Sequence, residues 1–189
     1  MNTSAQEFLE AFAALEADAI VVLPNNGNVI PAAEQAAELS GRAGITVLPS
    51  KSIAEGYCAL AMDIPDSSDT DYRISQMRLG LECVVTLTQT AASRDFSYRE
   101  LSCRRGDEIA LIGGEIVCVA DRWLDAVRRG IAAVPDIEEK ENCIVFRGEG
   151  VPPEAEEELA AALAEELPML EVTFIDGGQS VYRWVLGIF

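Results

Sequence analysis

Two short polar segments near the amino terminus carry side chains that can donate and accept hydrogen bonds. Residues 23–28 (Leu-Pro-Asn-Asn-Gly-Asn) follow an aliphatic run, and so do residues 48–52 (Leu-Pro-Ser-Lys-Ser). An apolar run, a polar turn and a helical pattern in succession indicate a strand, a loop and a helix. Open α/β sheets bind ligands and partners at the carboxyl ends of their parallel strands. The two segments are therefore the first candidate binding surface.

The second segment has a chemical and a structural interpretation. Lysine can activate a serine hydroxyl, so Ser50 and Lys51 have the composition of a nucleophile pair. Ser52 and Glu55 have the spacing of a helix capping box, and this is the more economical interpretation of the segment.

The first segment also has two interpretations. Asn25 and Asn26 either bind a ligand headgroup or partner backbone, or only tolerate the turn geometry. Their expected position beside residues 50–52 favours a binding role.

A third polar segment lies between the last two predicted strands. Residues 177–180 read Gly-Gly-Gln-Ser, which is typical of a tight turn, and Tyr182 and Trp184 follow. The segment either only reverses the chain or presents an aromatic contact surface. The partner- or ligand-binding candidates of all three segments are Asn25, Asn26, Asn28, Ser50, Lys51, Ser52, Gly177, Gly178, Gln179 and Tyr182.

Other site chemistry has little support in the composition. The 189 residues include no histidine, the commonest general base, and the five cysteines form no Cys-x-x-Cys pair. Gly148 and Gly150 lack the third glycine of a dinucleotide-binding fingerprint. We expect no catalytic residue, no metal ligand and no cofactor in this chain, and we interpret the cysteines as buried, reduced thiols.

The charge is strongly acidic, with 14 basic and 32 acidic residues and a formal net charge of -18. Nucleic acids and anionic lipid surfaces would repel such a molecule, which leaves a protein or neutral ligand as the expected partner. Neither a signal peptide nor a membrane-spanning segment is visible, so we expect a cytoplasmic protein. Six arginines form either a docking patch or scattered ion pairs: Arg99, Arg104, Arg105, Arg122, Arg128 and Arg129.

The first two segments must be positioned by a Rossmann-like α/β lobe over residues 1–80. Ser4 and Glu7 predict a capped helix to about residue 17. Strands at 19–23 and 44–48 flank a helix that Asn28 can cap and Gly41 ends. Two successive strand-loop-helix repeats imply a parallel sheet, and a short helix at 72–80 leads to the second lobe.

Residues 81–189 predict a mixed α/β lobe that contains antiparallel hairpins. Gly113 and Gly114 lie between two apolar runs and indicate a tight hairpin. The expected later elements are a helix at 122–133, a strand at 143–146, a helix at 153–167, and strands at 172–175 and 181–188.

The three polar segments also resemble those of one protein family. Residues 24–28 with 32–36, residues 48–53 with Gly56, and residues 177–179 with 181–182 are similar to the carboxyl-terminal domain of FakA, the kinase component of bacterial fatty acid kinase. The resemblance covers essentially the whole chain, with the motifs in the same order.

The resemblance implies a two-lobed DegV-like fold behind a DhaL-like (dihydroxyacetone kinase-like) domain that binds ATP and magnesium. A separate DegV-like protein presents the fatty acid, the carboxyl-terminal domain docks that protein, and an acyl phosphate is formed. DegV-like lipid carriers have a His-Thr-Gly-Pro-Gly turn for the carboxylate, whereas residues 177–180 here contain no histidine. The lipid headgroup site is therefore expected to be lost.

The leading hypothesis is a noncatalytic domain that docks the lipid-carrying DegV-like subunit next to the kinase domain of its own polypeptide. Its expected contact residues are Asn26, Lys51 and Gln179. The alternative is a small-molecule or lipid-binding domain that uses the crevice between the lobes. A third, weaker hypothesis is a phosphoester enzyme that uses Ser50 and Lys51.

Overall fold

The computed structural model describes residues 3–99 and 101–189 and divides into two compact units, Met1–Val84 and Val85–Phe189. The helices are α1 (Ala5–Ala14), α2 (Ile30–Ser40), α3 (Ile53–Ala61), α4 (Thr70–Cys83), α5 (Trp123–Ala132) and α6 (Pro153–Glu166), with a 3-10 turn at Ile137–Glu139. The strands are β1 (Ile20–Val22), β2 (Ile45–Val47), β3 (Val85–Ala91), β4 (Phe96–Tyr98), β5 (Leu101–Cys103), β6 (Glu108–Ile112), β7 (Glu115–Ala120), β8 (Asn142–Arg147), β9 (Glu171–Asp176) and β10 (Trp184–Ile188).

The amino-terminal unit is built on a two-stranded parallel sheet of β1 and β2, which α2 connects. Phe12 of α1, Ile20 and Ala36 form one buried cluster, and Leu48, Ala59 and Met77 form a second with α3 and α4. The capping box of Ser4 and Glu7 is present, and Gly41 ends α2 in the left-handed conformation. The unit therefore has the expected parallel sheet with its helices.

Two local predictions in this unit are wrong. Asn28 does not cap α2, because its amide donates to the Asn26 side chain (2.9 Å) in a short turn and Val29 takes the capping position. Helix α1 ends at Ala14 instead of near residue 17. The Arg42 guanidinium, distant in sequence, binds the carbonyls of Leu15 (3.1 Å) and Ala17 (2.7 Å) and so stabilises a nonhelical path.

The carboxyl-terminal unit is built on a six-stranded sheet with the order β7-β6-β3-β10-β8-β9. Its pairs are antiparallel except β8 and β9, which are parallel and joined by α6. Gly113 and Gly114 both have positive φ, as the predicted tight hairpin between β6 and β7 requires. Strands β4 and β5 form a separate antiparallel hairpin. The mixed α/β class expected for this part of the chain is confirmed.

Trp184 does not belong to an aromatic contact surface, because it is completely buried. Its strand, β10, lies between β3 and β8, and its ring packs on Trp123 (5.8 Å) and Phe174 (6.4 Å). The continuous apolar run at 184–188 was the signal for a central strand, since such strands are covered on both faces.

The five cysteines are all free thiols. Four are buried as expected, whereas Cys83 at the end of α4 is exposed. Burial raises the pKa of Cys58 and of Cys143 to about 12. Among the described residues, no helix has the length and apolar character needed to cross a bilayer.

Candidate functional site

The loops that follow β1 and β2 lie side by side, because both strands are parallel and end at the same edge. The backbone amide of Asn25 donates to the Ser50 hydroxyl across this gap (2.9 Å). Ser50 is completely buried. Its hydroxyl joins the two loops, and this burial weighs against the nucleophile interpretation.

Asn25 occupies the left-handed region with φ of 55°, and its side chain lies against Gly56 of α3. A Cβ atom at position 56 would fall 2.0 Å from the Asn25 side-chain oxygen. A side chain larger than glycine would therefore displace Asn25. Gly56 belongs to the motif behind the family resemblance, but its packing role follows only from this contact.

The amino terminus of α3 fixes the backbone of Lys51. The Ser52 hydroxyl accepts from the amide of Glu55 (3.1 Å), which confirms Ser52 as the helix cap. The Glu55 carboxylate in turn accepts from the amide of Lys51 (2.5 Å). The Lys51 side chain remains exposed and passes beside Gly27 of the first loop.

The exposed part of this arrangement consists of Asn26, Gly27, Asn28 and Lys51, which we call the loop-pair surface. It offers amide donors and acceptors and one ammonium group, held on loops that are anchored by a buried hydroxyl. Such groups bind carboxylates, carbonyls and peptide backbone. The loop-pair surface itself contains no general base, and no cluster of metal-binding side chains occurs within residues 3–99 and 101–189.

The third segment belongs to the carboxyl-terminal unit, where it folds back on the end of β8. The amides of Gly177 and Gly178 both donate to the Arg147 carbonyl (2.9 and 3.1 Å), and the Gln179 side-chain amide donates to the Phe146 carbonyl (2.9 Å). The Gln179 side-chain oxygen is buried and has no hydrogen-bond partner among the described residues. Gln179 thus spends its donor within its own unit.

A small cavity of about 350 Å³ adjoins this segment. Gln179, Tyr182 and Arg183 line one side, and Glu149 lies on the loop before α6. The guanidinium of Arg183 is held by Glu108 (3.0 Å). The cavity therefore has polar walls in which the one arginine is already paired.

The arginines favour the ion-pair interpretation over a docking patch. Arg99 pairs with Glu115 (2.7 Å) and Arg122 with Glu158 (3.3 Å). Arg128 pairs with Glu166. Exposed pairs of this kind contribute little individually to stability.

A family model for the carboxyl-terminal domain of FakA-like fatty acid kinase proteins matches residues 1–188. Protein YloV of Bacillus subtilis is 27% identical over 186 residues, which are 98% of this chain and 33% of that protein. A Staphylococcus haemolyticus protein is 28% identical over 188 residues, covering 100% of this chain and 34% of its own length. The chain thus spans about a third of the length of the curated relatives that it matches.

Solved structures show the fold. A DegV family protein from Corynebacterium glutamicum superposes with a TM-score of 0.70 at 16% identity, over 99% of this chain and 81% of that one. DegV of Bacillus subtilis, described as a fatty acid binding protein, superposes with a TM-score of 0.62 at 12% identity, over 98% and 76%. A Eubacterium eligens DegV family protein loaded with heptadecanoic acid gives 0.65 at 12% identity, over 98% and 77%. The expected DegV-like α/β fold is confirmed.

Proposed function

Because the chain belongs to the family of FakA-like carboxyl-terminal domains, we propose that it is the noncatalytic docking domain of a bacterial fatty acid kinase. In this proposal it binds a DegV-like subunit that carries the fatty acid. A separate DhaL-like kinase domain of the same polypeptide binds ATP and magnesium and forms the acyl phosphate.

The observation that carries the proposal is the loop-pair surface. Asn26, Asn28 and Lys51 are exposed, while the loops that hold them are fixed by Ser50 and by the cap of α3. Rigid loops lose little conformational entropy on binding, so their polar groups contribute more fully to affinity. The exposed groups suit recognition of a protein surface and include no acid-base pair for catalysis.

Docking would contribute to the reaction through proximity. Holding the lipid carrier beside the kinase domain turns an encounter of two proteins into a local one at a raised effective concentration. The gain depends on geometry, because the acyl carboxylate must reach the phosphoryl donor in a reactive orientation. The docking domain therefore needs only affinity and position.

A second candidate function is lipid binding by this chain itself. Two DegV structures that share its fold are described as a fatty acid binding protein and as loaded with heptadecanoic acid. Mass spectrometry of an organic extract of the purified chain tests this function. A stoichiometric fatty acid would favour it, and an empty protein would favour docking.

The docking proposal is tested by calorimetric titration of this chain with the lipid-loaded DegV-like protein of the same organism. We expect saturable one-to-one binding. The double variant Asn26→Ala with Lys51→Glu should weaken it tenfold or more, which is roughly 1.4 kcal/mol. Lys140→Glu, the matched reversal of the other lysine in the chain, should bind like the parent.

Gln179→Ala tests the third expected contact residue separately, because its side chain is bound to the Phe146 carbonyl. Unchanged affinity in that variant would remove Gln179 from the contact surface. Parental affinity in the double variant would contradict the assignment to the loop-pair surface, and an absence of binding by the parent chain would contradict docking by this domain alone.

A further inference from the structure

Strand β7 is the edge of the six-stranded sheet, and a groove of about 710 Å³ runs along it. Val119 and Ala120 of β7 line the groove together with Asp125 and Arg129 of α5 and Ser102 of β5. It lies in the carboxyl-terminal unit and shares no residue with the loop-pair surface.

The two walls of the groove cover opposite faces of the sheet. Cys118 is buried with Ala126 of α5, whereas Val119 packs with the cluster around Cys103 of the β4–β5 hairpin. Successive strand residues point to opposite faces, so α5 forms one wall and the hairpin forms the other. The edge of β7 is then the floor between a helix and a hairpin.

The backbone of β7 turns polar groups into this groove. The Val119 carbonyl accepts a hydrogen bond from the Arg129 guanidinium (2.8 Å). In an antiparallel pair, residues alternate between those bonded to the neighbouring strand and those whose amide and carbonyl point away. Val119 is of the second kind, and its backbone groups are those that an additional strand would bind.

The charges of the groove favour a cationic occupant. Asp107, Asp121 and Asp125 line it. The guanidinium of Arg128 is paired with Glu166, and that of Arg129 is bound to the Val119 carbonyl. The chain as a whole carries a net charge of -18, which attracts basic segments from a distance.

We propose that this groove binds an extended peptide with basic side chains, which adds a strand to the edge of β7. Backbone hydrogen bonds to Val119 supply affinity, and the peptide amide replaces the Arg129 guanidinium on the Val119 carbonyl. Alternate peptide side chains face the α5 wall and the hairpin wall, where the aspartates bind their charges. The strand pairing makes the site selective for an extended conformation.

The probe is the synthetic peptide acetyl-Lys-Val-Lys-Val-Lys-Val-amide, titrated into the isotopically labelled full chain and followed by NMR. We expect shifts at β7 and α5 and slowed hydrogen exchange at the Val119 amide. A glutamate-for-lysine peptide should bind at least tenfold more weakly. A peptide methylated on alternate backbone nitrogens should lose binding when the methyl groups face β7, since it cannot donate.

Two variants report on the two parts of the site. Asp121→Lys with Asp125→Lys should weaken the basic peptide at least tenfold, whereas Glu154→Lys with Glu157→Lys on exposed positions of α6 should not. Val119→Pro removes the outward amide, and circular dichroism checks that the variant folds. No binding of the basic peptide by the parent chain, equal binding of the methylated peptides, or shifts confined to residues 3–84 would each overturn the proposal.

Discussion

The chain contains two parallel strand pairs of the same topology, and their loops have opposite fates. β1 and β2 are joined by α2, and β8 and β9 by α6. In the first pair, the buried hydroxyl of Ser50 ties the loops together and leaves amide and ammonium side chains exposed. In the second pair, Gln179 and the glycines around it bind back to the strand end.

The difference teaches that position at the carboxyl edge of a parallel sheet does not by itself make a binding surface. Gly148 is closed in by the Tyr182 carbonyl, since a Cβ atom there would lie 2.3 Å from it. Gly177 is closed in likewise by the Gln179 side chain, at 2.2 Å. Loops that satisfy their own polar groups have few left for a partner. The loop-pair surface is therefore the better recognition site.

Removing the support beneath the closed loops should have the largest effect. Trp184 is fully buried at the start of β10, paired in register with Arg147 at the end of β8. We expect Trp184→Ala to lower the free energy of unfolding of the carboxyl-terminal unit by about 3–5 kcal/mol, because it leaves a large cavity. Urea unfolding followed by circular dichroism measures this loss.

Trp184→Phe is the matched control for that variant. The indole nitrogen of Trp184 is buried without a hydrogen-bond partner among the residues that the structure describes. Phenylalanine keeps a ring and removes this unpaired donor, so it should recover most of the stability. Equal losses in the two variants would mean that the ring packing does not support this unit.

Local signals in the sequence predicted what local interactions form. The capping box of Ser4 and Glu7 and the turn at Gly113 and Gly114 each involve neighbouring residues, and both are present. The burial of Ser50 was not predictable, because its partner lies 25 residues away in the chain. Such contacts depend on the packed fold, which local propensities do not encode.

The missed features follow the same division. Asn28 has the residue type of a helix cap, but Asn26 two residues earlier binds its amide first. The groove on β7 arises where an edge strand, α5 and the β4–β5 hairpin meet. Strand order is not written in any single segment, so the sequence predicted the hairpin and not the open edge.

Ser50→Ala and Gln179→Ala sharpen the comparison of the two strand pairs. Ser50→Ala leaves the Asn25 amide without its acceptor, and we expect it to cost about 1–3 kcal/mol of stability. It should also weaken docking of the DegV-like partner, because the loop-pair surface loses its anchor. Gln179→Ala should cost about 1 kcal/mol and leave docking unchanged.

Unfolding and calorimetry on the same samples measure both quantities. Ser50→Thr is a useful third variant, since it keeps the hydroxyl but adds a methyl group in a fully buried site. If Ser50→Ala bound the partner as tightly as the parent, the buried hydroxyl would support stability alone, and the contrast between open and closed loops would lose its functional meaning.

The smallest effect concerns the thiols, where both units behave alike except at one residue. Burial raises the pKa of Cys58 in the first unit and of Cys143 in the second from 9.0 to about 12. The native state therefore holds protons that the unfolded state releases above pH 9. Stability from these thiols is complete below pH 9 and falls as the pH rises from about 9 to about 12.

Alkylation measured by mass spectrometry makes this difference visible without perturbing the fold. At pH 8 we expect iodoacetamide to label native protein once, at the exposed Cys83, and urea-unfolded protein at all five cysteines. Cys83→Ser should leave native protein unlabelled. Rapid labelling of Cys58 under native conditions would show that α3 opens readily, and since α3 carries Gly56 against Asn25, the loop-pair surface would then not be the rigid one that docking requires.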